Sequence, residues 1–200
     1  MLMKKTSVGR PRSEDHTSRI LKATLRLLEE VGYAQFTIEG VATRAKVGRP
    51  TVYRRFPTKA ALVLEALKHT FGTDPAPDTG DLRQDLLEVQ RDQVAFFNNP
   101  TVAAIVPGLM SEIQRDKAFA DMWWRDFVEP RRQSVIRAVE RAADRGEVGR
   151  GGDIETLCDV LTGPLICRAF LHGPRKVPKS FAFTCIDLAL HLLPAAPSKR

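Results

Sequence analysis

Cysteine is scarce in this chain: Cys158, Cys167 and Cys185 are the three in 200 residues. They are widely spaced and form neither a Cys-x-x-Cys pair nor a Cys/His ligand pattern. That argues against a disulfide framework and a zinc site, and leaves three reduced thiols packed between helices. Long hydrophobic runs are also missing. No apolar stretch approaches the roughly 18 residues needed to span a bilayer. The opening Met1-Leu2-Met3-Lys4-Lys5-Thr6-Ser7 carries charge without an apolar segment behind it, so no secretory signal is expected and a cytoplasmic location is. No convincing alternation of polar and apolar residues marks a strand. Gly-x-Ser-x-Gly and phosphate-cradling glycine loops are absent. His16, His69, His172 and His191 are scattered, without partners at ligand or triad spacing. The pair Glu29-Glu30 falls on an exposed helix end. No enzyme activity, metal or cofactor is expected.

Positive charge, by contrast, is plentiful and one-sided. Residues 1–70 hold fourteen Lys and Arg against six Asp and Glu, a net of +8, and the remainder holds seventeen against eighteen, a net of −1. Such an excess favours a polyanion, either nucleic acid or an anionic membrane surface.

The excess lies beside Phe36-Thr37-Ile38-Glu39-Gly40-Val41-Ala42-Thr43-Arg44-Ala45-Lys46-Val47-Gly48-Arg49-Pro50-Thr51-Val52-Tyr53-Arg54-Arg55-Phe56. This stretch reads as two short helices with a tight break. Thr37 is a good N-cap, because its hydroxyl can accept from an orphan amide of the first turn. Ile38, Val41, Ala42 and Ala45 fall three and four apart and make one apolar face. Lys46-Val47-Gly48 is the break, and Pro50 suits the next first turn, where its missing N–H costs nothing. The second helix turns Val52 and Phe56 inward and leaves Arg49, Thr51, Tyr53, Arg54 and Arg55 largely outside. Arginine can bond guanine O6 and N7 bidentately, while threonine and tyrosine hydroxyls reach phosphates or the thymine methyl. A helical hairpin with a merely solvated basic face has the same pattern. Two functions therefore stay open on these residues alone, a DNA-binding regulator and a helical module whose basic face meets another anion or a protein.

The run from Thr37 through Thr51-Val52-Tyr53-Arg54-Arg55-Phe56 to Lys59 and Leu62 resembles the DNA-binding domain of the TetR family of bacterial transcriptional regulators. Its most specific part is Thr-Val-Tyr-x-x-Phe followed by a Lys near the start of the next helix. The likeness covers about residues 14–70, and the rest only in its helical plan. Lys46 stands where the family often has a turn glycine, and Gly48 where it often has a capping serine. A left-handed Lys46 would carry strain of order 1 kcal/mol. The resemblance implies an all-α fold, with an N-terminal three-helix helix–turn–helix domain joined to a larger helical ligand-binding and dimerisation domain. It implies DNA contacts from Thr37, Arg44, Gly48, Arg49, Pro50, Thr51, Tyr53, Arg54 and Arg55, with Lys59 within reach of a phosphate.

In chain order, residues 1–13 form a basic arm expected to be disordered. Arg10 and Arg12 suit a minor groove, though a solvated tail is the simpler expectation. Residues 14–57 form the helix–turn–helix domain. Its first helix begins near Ser13, with Glu14 and Asp15 at its positive end, and turns Ile20, Leu21, Thr24, Leu25, Leu27, Leu28 and Val31 inward. It stops at Gly32, a C-cap signal. Residues 58–72 form a connecting helix with Leu62, Leu64, Leu67 and Phe71 apolar. A boundary rich in Pro, Gly and Asp follows, ending at Gly80.

Residues 81–195 read as helical throughout. One helix carries Leu82, Leu86, Val89, Val94, Phe96 and Phe97 up to Asn98-Asn99-Pro100. A shorter one spans Val102 to Ile113, with a kink at Pro107-Gly108. A long helix covers about 116–144, with a kink or break near Glu129 ahead of Pro130. Asp153 caps the next, and the last covers about 179–193. The final two are apolar on more than one face, which predicts burial on both sides, one of them against a second copy. Leu161, Leu165, Phe170, Ile186 and Leu190 are the interface candidates, with plain intramolecular core as the alternative. A two-fold dimer presents two recognition helices about one DNA turn apart and reads a palindrome. The resemblance adds a homodimer with a four-helix interface, double-stranded operator DNA as partner, and a small-molecule effector whose binding moves the fourth helix and lowers operator affinity. Phe96, Phe97, Met110, Trp123, Trp124 and Phe127 are the pocket candidates, and their composition suits a mainly apolar effector. Repression is the family-level expectation.

Overall fold

The computed structural model describes residues 12–72, 77–171 and 176–196, with side chains from residue 16 onward. The basic arm, Arg10 and the Arg12 side chain lie outside that description. The chain divides into two compact units, residues 1–70 and 71–200.

The first unit holds α1 (Arg12–Gln35), α2 (Ile38–Ala45), α3 (Arg49–Arg55) and α4 (Lys59–Thr70). Helical hydrogen bonding continues past Gly32, but Gly32 itself leaves the helix at φ 67°, ψ 172°. A side chain there would meet the left-handed penalty, so glycine is what lets the chain turn. The turn swings Tyr33 and Phe36 into the core beside Ile20, Leu21 and Leu28. Leu25, Leu27 and Val31 are only half-buried. Thr37 caps α2 by accepting from the Gly40 amide at 3.1 Å. Gly40 has a steric reason as well, since a Cβ there would stand 2.9 Å from Leu27 Cδ2. Its absence lets α2 lie close against α1. Lys46 ends α2 in the left-handed region at φ 55°, ψ 48°. Arg19 of α1 offsets that strain by donating to the carbonyls of Ala45 and Lys46, which the end of a helix leaves without partners. Val52 and Phe56 of α3 and Leu62, Val63, Leu64, Ala66 and Leu67 of α4 complete the core.

The second unit holds α5 (Leu82–Phe97), α6 (Pro100–Arg115), α7 (Lys117–Trp123), α8 (Glu129–Arg145), α9 (Ile154–Ile166) and α10 (Lys179–Leu190). Side-chain caps start four of them: Asp81, Asn99, Asp116 and Asp153 each accept from a first-turn amide. The long helix expected over 116–144 is two helices with a π-helical turn, Trp124–Val128, between them. Pro130 supplies the reason. It has no N–H for the carbonyl four residues back, and the Glu129 amide instead bonds the Trp124 carbonyl five residues back. A second π-helical turn, Cys167–Leu171, extends α9 just past Pro164. The last helix stops at Leu190, three residues short of the expected end.

Leu82, Leu86, Val135, Ala138, Val139, Leu157, Leu161, Ile186 and Ala189 make the main core of this unit, contributed by α5, α8, α9 and α10. For three of the five interface candidates the intramolecular alternative holds within this chain. Leu161, Leu165 and Ile186 are 0% exposed within one chain, so a single protomer already buries them. Phe170 and Leu190 are half-buried. Among the described residues the sole β-pairing is an isolated bridge between Val148 and Ala195, and no single helix is long and apolar enough to cross a membrane.

Candidate nucleic-acid interface

The αL turn at Lys46 and the Pro50 first turn fix α3 with one side sealed by Val52. Arg49, Pro50, Tyr53 and Arg54 stand exposed on its other side, with Thr51 half-buried beside them. Gly48 starts the helix without a side-chain cap, so its first amides are satisfied by no cap from its own N-terminal side chain. The exposed face thus offers two guanidinium forks, two hydroxyls and a helix N-terminus, which together suit oxygen acceptors on phosphates and base edges.

Not every expected contact residue is placed alike. Tyr53 is 43% exposed, yet its hydroxyl donates to Glu39 Oε1 at 2.6 Å. That bond holds the Glu39 carboxyl below its usual range and pushes the Tyr53 phenol up. Arg44 meets Glu30 through two bonds of 2.6 Å, one from each terminal nitrogen. The pairing lowers the Glu30 carboxyl and raises the guanidinium. Thr37 is exposed but its oxygen serves the α2 cap. Arg55 is half-buried rather than outside, with a buried terminal nitrogen. Lys59 departs furthest from expectation. Its ammonium donates to the Tyr33 carbonyl and, at 3.5 Å, to that of Ala34, and it lies 4.2 Å from the centre of the Tyr33 ring. It thereby closes the end of α1. Two side chains that hold this face in place escaped sequence reasoning. Arg19, on the far side of α1 in sequence, gave no signal, whereas Glu39 in the first turn of α2 reads as an ordinary helix-end acid.

In the second unit, four of the six pocket candidates join one chain of ring contacts. Phe96 lies 5.3 Å from Phe97 and 5.7 Å from Phe127, and Trp123 stacks on Phe127 at 4.5 Å. Phe71 and Phe170 extend the chain at 5.2 Å from Phe96 and 5.9 Å from Phe97. Met110 and Trp124 do not join it, being 36% and 50% exposed. Phe127 of the π-helical turn is buried, while Trp124 at its start faces out beneath Arg132. Among the described residues no group of three or more His, Cys, Asp or Glu could hold a metal ion.

Known proteins resemble this chain along both units. The sequence profile described as "Bacterial regulatory proteins, tetR family" matches residues 20–66. That described as "Tetracyclin repressor-like, C-terminal domain" matches residues 76–189. The HTH-type transcriptional regulator Mb1581 of Mycobacterium bovis is 34% identical over 162 residues, 80% of this chain and 78% of its own. The DNA-binding transcriptional repressor TetR of Mycobacteroides abscessus is 31% identical over 170 residues, 82% of this chain and 86% of its own. The crystal structure of the TetR family transcription regulator SCO0332 superposes with a TM-score of 0.71 at 27% identity, covering 90% of this chain and all of the other. With its helix–turn–helix, its all-helical second unit and these matches along both, the chain belongs to the TetR family and is a DNA-binding transcriptional regulator.

Proposed function

We propose that the protein binds a palindromic operator as a homodimer, acts there as a repressor, and is released by a small, mainly apolar effector. The observation that carries the reading is the exposed face of α3, where Arg49, Thr51, Tyr53 and Arg54 stand together on a helix too short to select a long site alone. Seven residues reach only a few base pairs, so selectivity calls for a second copy one turn along the duplex. Support for self-association comes from α10, where Leu188 is 59% exposed, with Leu192 at 37% just beyond it. Large leucines left in water on α10 and just past its end suit an apolar contact. Support for an effector comes from the ring chain around Phe96 and Phe127. The repressing direction follows the relative from Mycobacteroides abscessus.

Footprinting on DNA from upstream of the protein's own gene tests the reading. The expected result is one protected region containing an inverted repeat with half-site centres one helical turn, or a whole multiple of it, apart. Protection spread evenly along the duplex would contradict it.

A further inference from the structure

The ring chain of the second unit holds a positive charge that no acid among the described residues answers. Arg131 sits on the first turn of α8, with its guanidinium carbon 3.6 Å from the centre of the Phe127 ring and 5.9 Å from that of Phe96. One terminal nitrogen donates to the Phe127 carbonyl at 2.6 Å, and the other to the Phe71 carbonyl. Both acceptors are neutral. Among the described residues no carboxylate pairs with Arg131, whereas Arg125, Arg132, Arg141 and Arg145 on the same stretch each have one. Burial pulls Arg131 down to about 10, which still leaves it charged at neutral pH.

Arg131 is half-buried, and a charge taken partly out of water costs free energy unless an opposite charge and hydrogen bonds compensate it. Carbonyls and ring faces do this only in part. The two carbonyl bonds use two of the five N–H groups of the guanidinium, and the planar fork suits a two-oxygen anion. A second guanidinium has the same character. Arg168 lies 3.7 Å from the centre of the Phe181 ring, its buried Nε has no hydrogen-bond partner, and no carboxylate among the described residues pairs with it. Each of the two π-helical turns supplies one ring of the chain, Phe127 or Phe170, and each lies within a few residues of one of these arginines. Turns of this kind recur at functional sites.

We infer that the second unit takes an anionic amphiphile, with an aromatic or aliphatic body lying along Phe96, Phe97 and Phe127 and a carboxylate, sulfonate or similar oxyanion received by Arg131. The inference rests on the effector-binding reading above and adds a charge to it. The competing role for Arg131 is a structural brace that only ties the Phe127 and Phe71 carbonyls together.

Two fluorescent probes with a shared ring system separate these roles in the full-length protein. One is 1-anilinonaphthalene-8-sulfonate, and the other is N-phenyl-1-naphthylamine, which lacks the sulfonate. The expected result is saturable binding of the sulfonate at one per chain, about tenfold or more tighter than the neutral probe. Arg131→Gln should lose that preference, weakening the sulfonate about tenfold and leaving the neutral probe within about twofold. Arg131→Lys keeps the charge without the fork and should retain an intermediate preference, which also carries the test if the glutamine variant does not fold. Equal affinities in the unaltered protein, or an equal response of both probes to Arg131→Gln, would overturn the anion assignment and leave an apolar effector site standing. Failure of both probes to bind at one per chain would overturn the effector site itself.

Discussion

The Tyr53 hydroxyl on α3 donates to Glu39 Oε1 on the first turn of α2, across 2.6 Å. The bond fixes the aromatic ring of the recognition helix against its supporting helix. It also places a carboxylate on the side of the molecule proposed to face DNA, and it occupies the donor that Tyr53 would offer to a phosphate. A group that is both a brace and a like charge to the ligand has opposite effects on binding, and substitution separates them.

Glu39→Gln removes the charge and keeps an acceptor for Tyr53. Affinity for DNA should rise several-fold at low salt, with the preferred sequence unchanged, because the lost repulsion is electrostatic and not base-specific. Because the Tyr53 bond holds Glu39 ionised below the usual carboxylate range, the gain should not vary between about pH 6 and 8. Anisotropy titrations at two salt concentrations check this. A loss of affinity would instead make positioning of α3 the main role of the bond.

Arg49→Ala should cost about 1–3 kcal/mol of operator binding and relax the preference at one base position. Binding measured across a set of single-base operator variants shows which position changes. A loss equal for every sequence would make Arg49 a phosphate contact.

Lys59→Met should lower the stability of the first unit by about 1–2 kcal/mol, because the ammonium closes the carbonyl end of α1 at Tyr33 and Ala34. Chemical denaturation followed by circular dichroism reads this directly. Weakened DNA binding with unaltered stability would return Lys59 to a purely phosphate-binding role.

Leu188→Arg should give monomers with near-unaltered helical content, since Leu188 is 59% exposed in the isolated chain. Leu165→Arg should instead fail to fold, because that side chain is 0% exposed and a charge there has no partner. Sedimentation velocity and circular dichroism together distinguish the two. A dimeric Leu188→Arg protein would move the interface off this surface of α10.

Cys158 and Cys185 should resist thiol reagents at pH 8 in the native protein, while Cys167, only half-buried, reacts first. Burial pushes the Cys158 thiol up to about 11 and raises that of Cys185 as well. The sign of the linked stability follows. A raised folded pKa leaves the contribution intact below the unfolded thiol value near 8.5 and removes it as pH climbs towards 11. Reagent titration with and without denaturant counts the protected thiols.

Local rules made the helix–turn–helix legible. Thr37 as cap, the spacing of Ile38, Val41, Ala42 and Ala45, the Lys46 turn and Pro50 are all decided within a few residues of one another, and the structure places each as its local chemistry dictates. Asp153 shows the same locality at a later helix start, where it caps α9. What was not legible depends on partners far along the chain. The apolar faces of α9 and α10 do not say whether a neighbour helix or a second protomer covers them, and α5 and α8 turn out to bury Leu161 and Ile186. Nor does the spacing of Trp124 and Phe127 say that the second joins the ring chain while the first faces out. Lys59 read as a phosphate contact and Arg19 drew no reading, because their acceptors are backbone carbonyls 25 to 27 residues away.

The most direct test of the central claim, that the face of α3 reads a specific DNA sequence, is fluorescence anisotropy of the purified protein on labelled duplex from upstream of its own gene, against a shuffled duplex of the same composition. At physiological salt the account predicts binding about a hundredfold or more tighter to the genuine sequence. Equal and steeply salt-dependent binding to both would contradict it and leave only a basic surface meeting a polyanion.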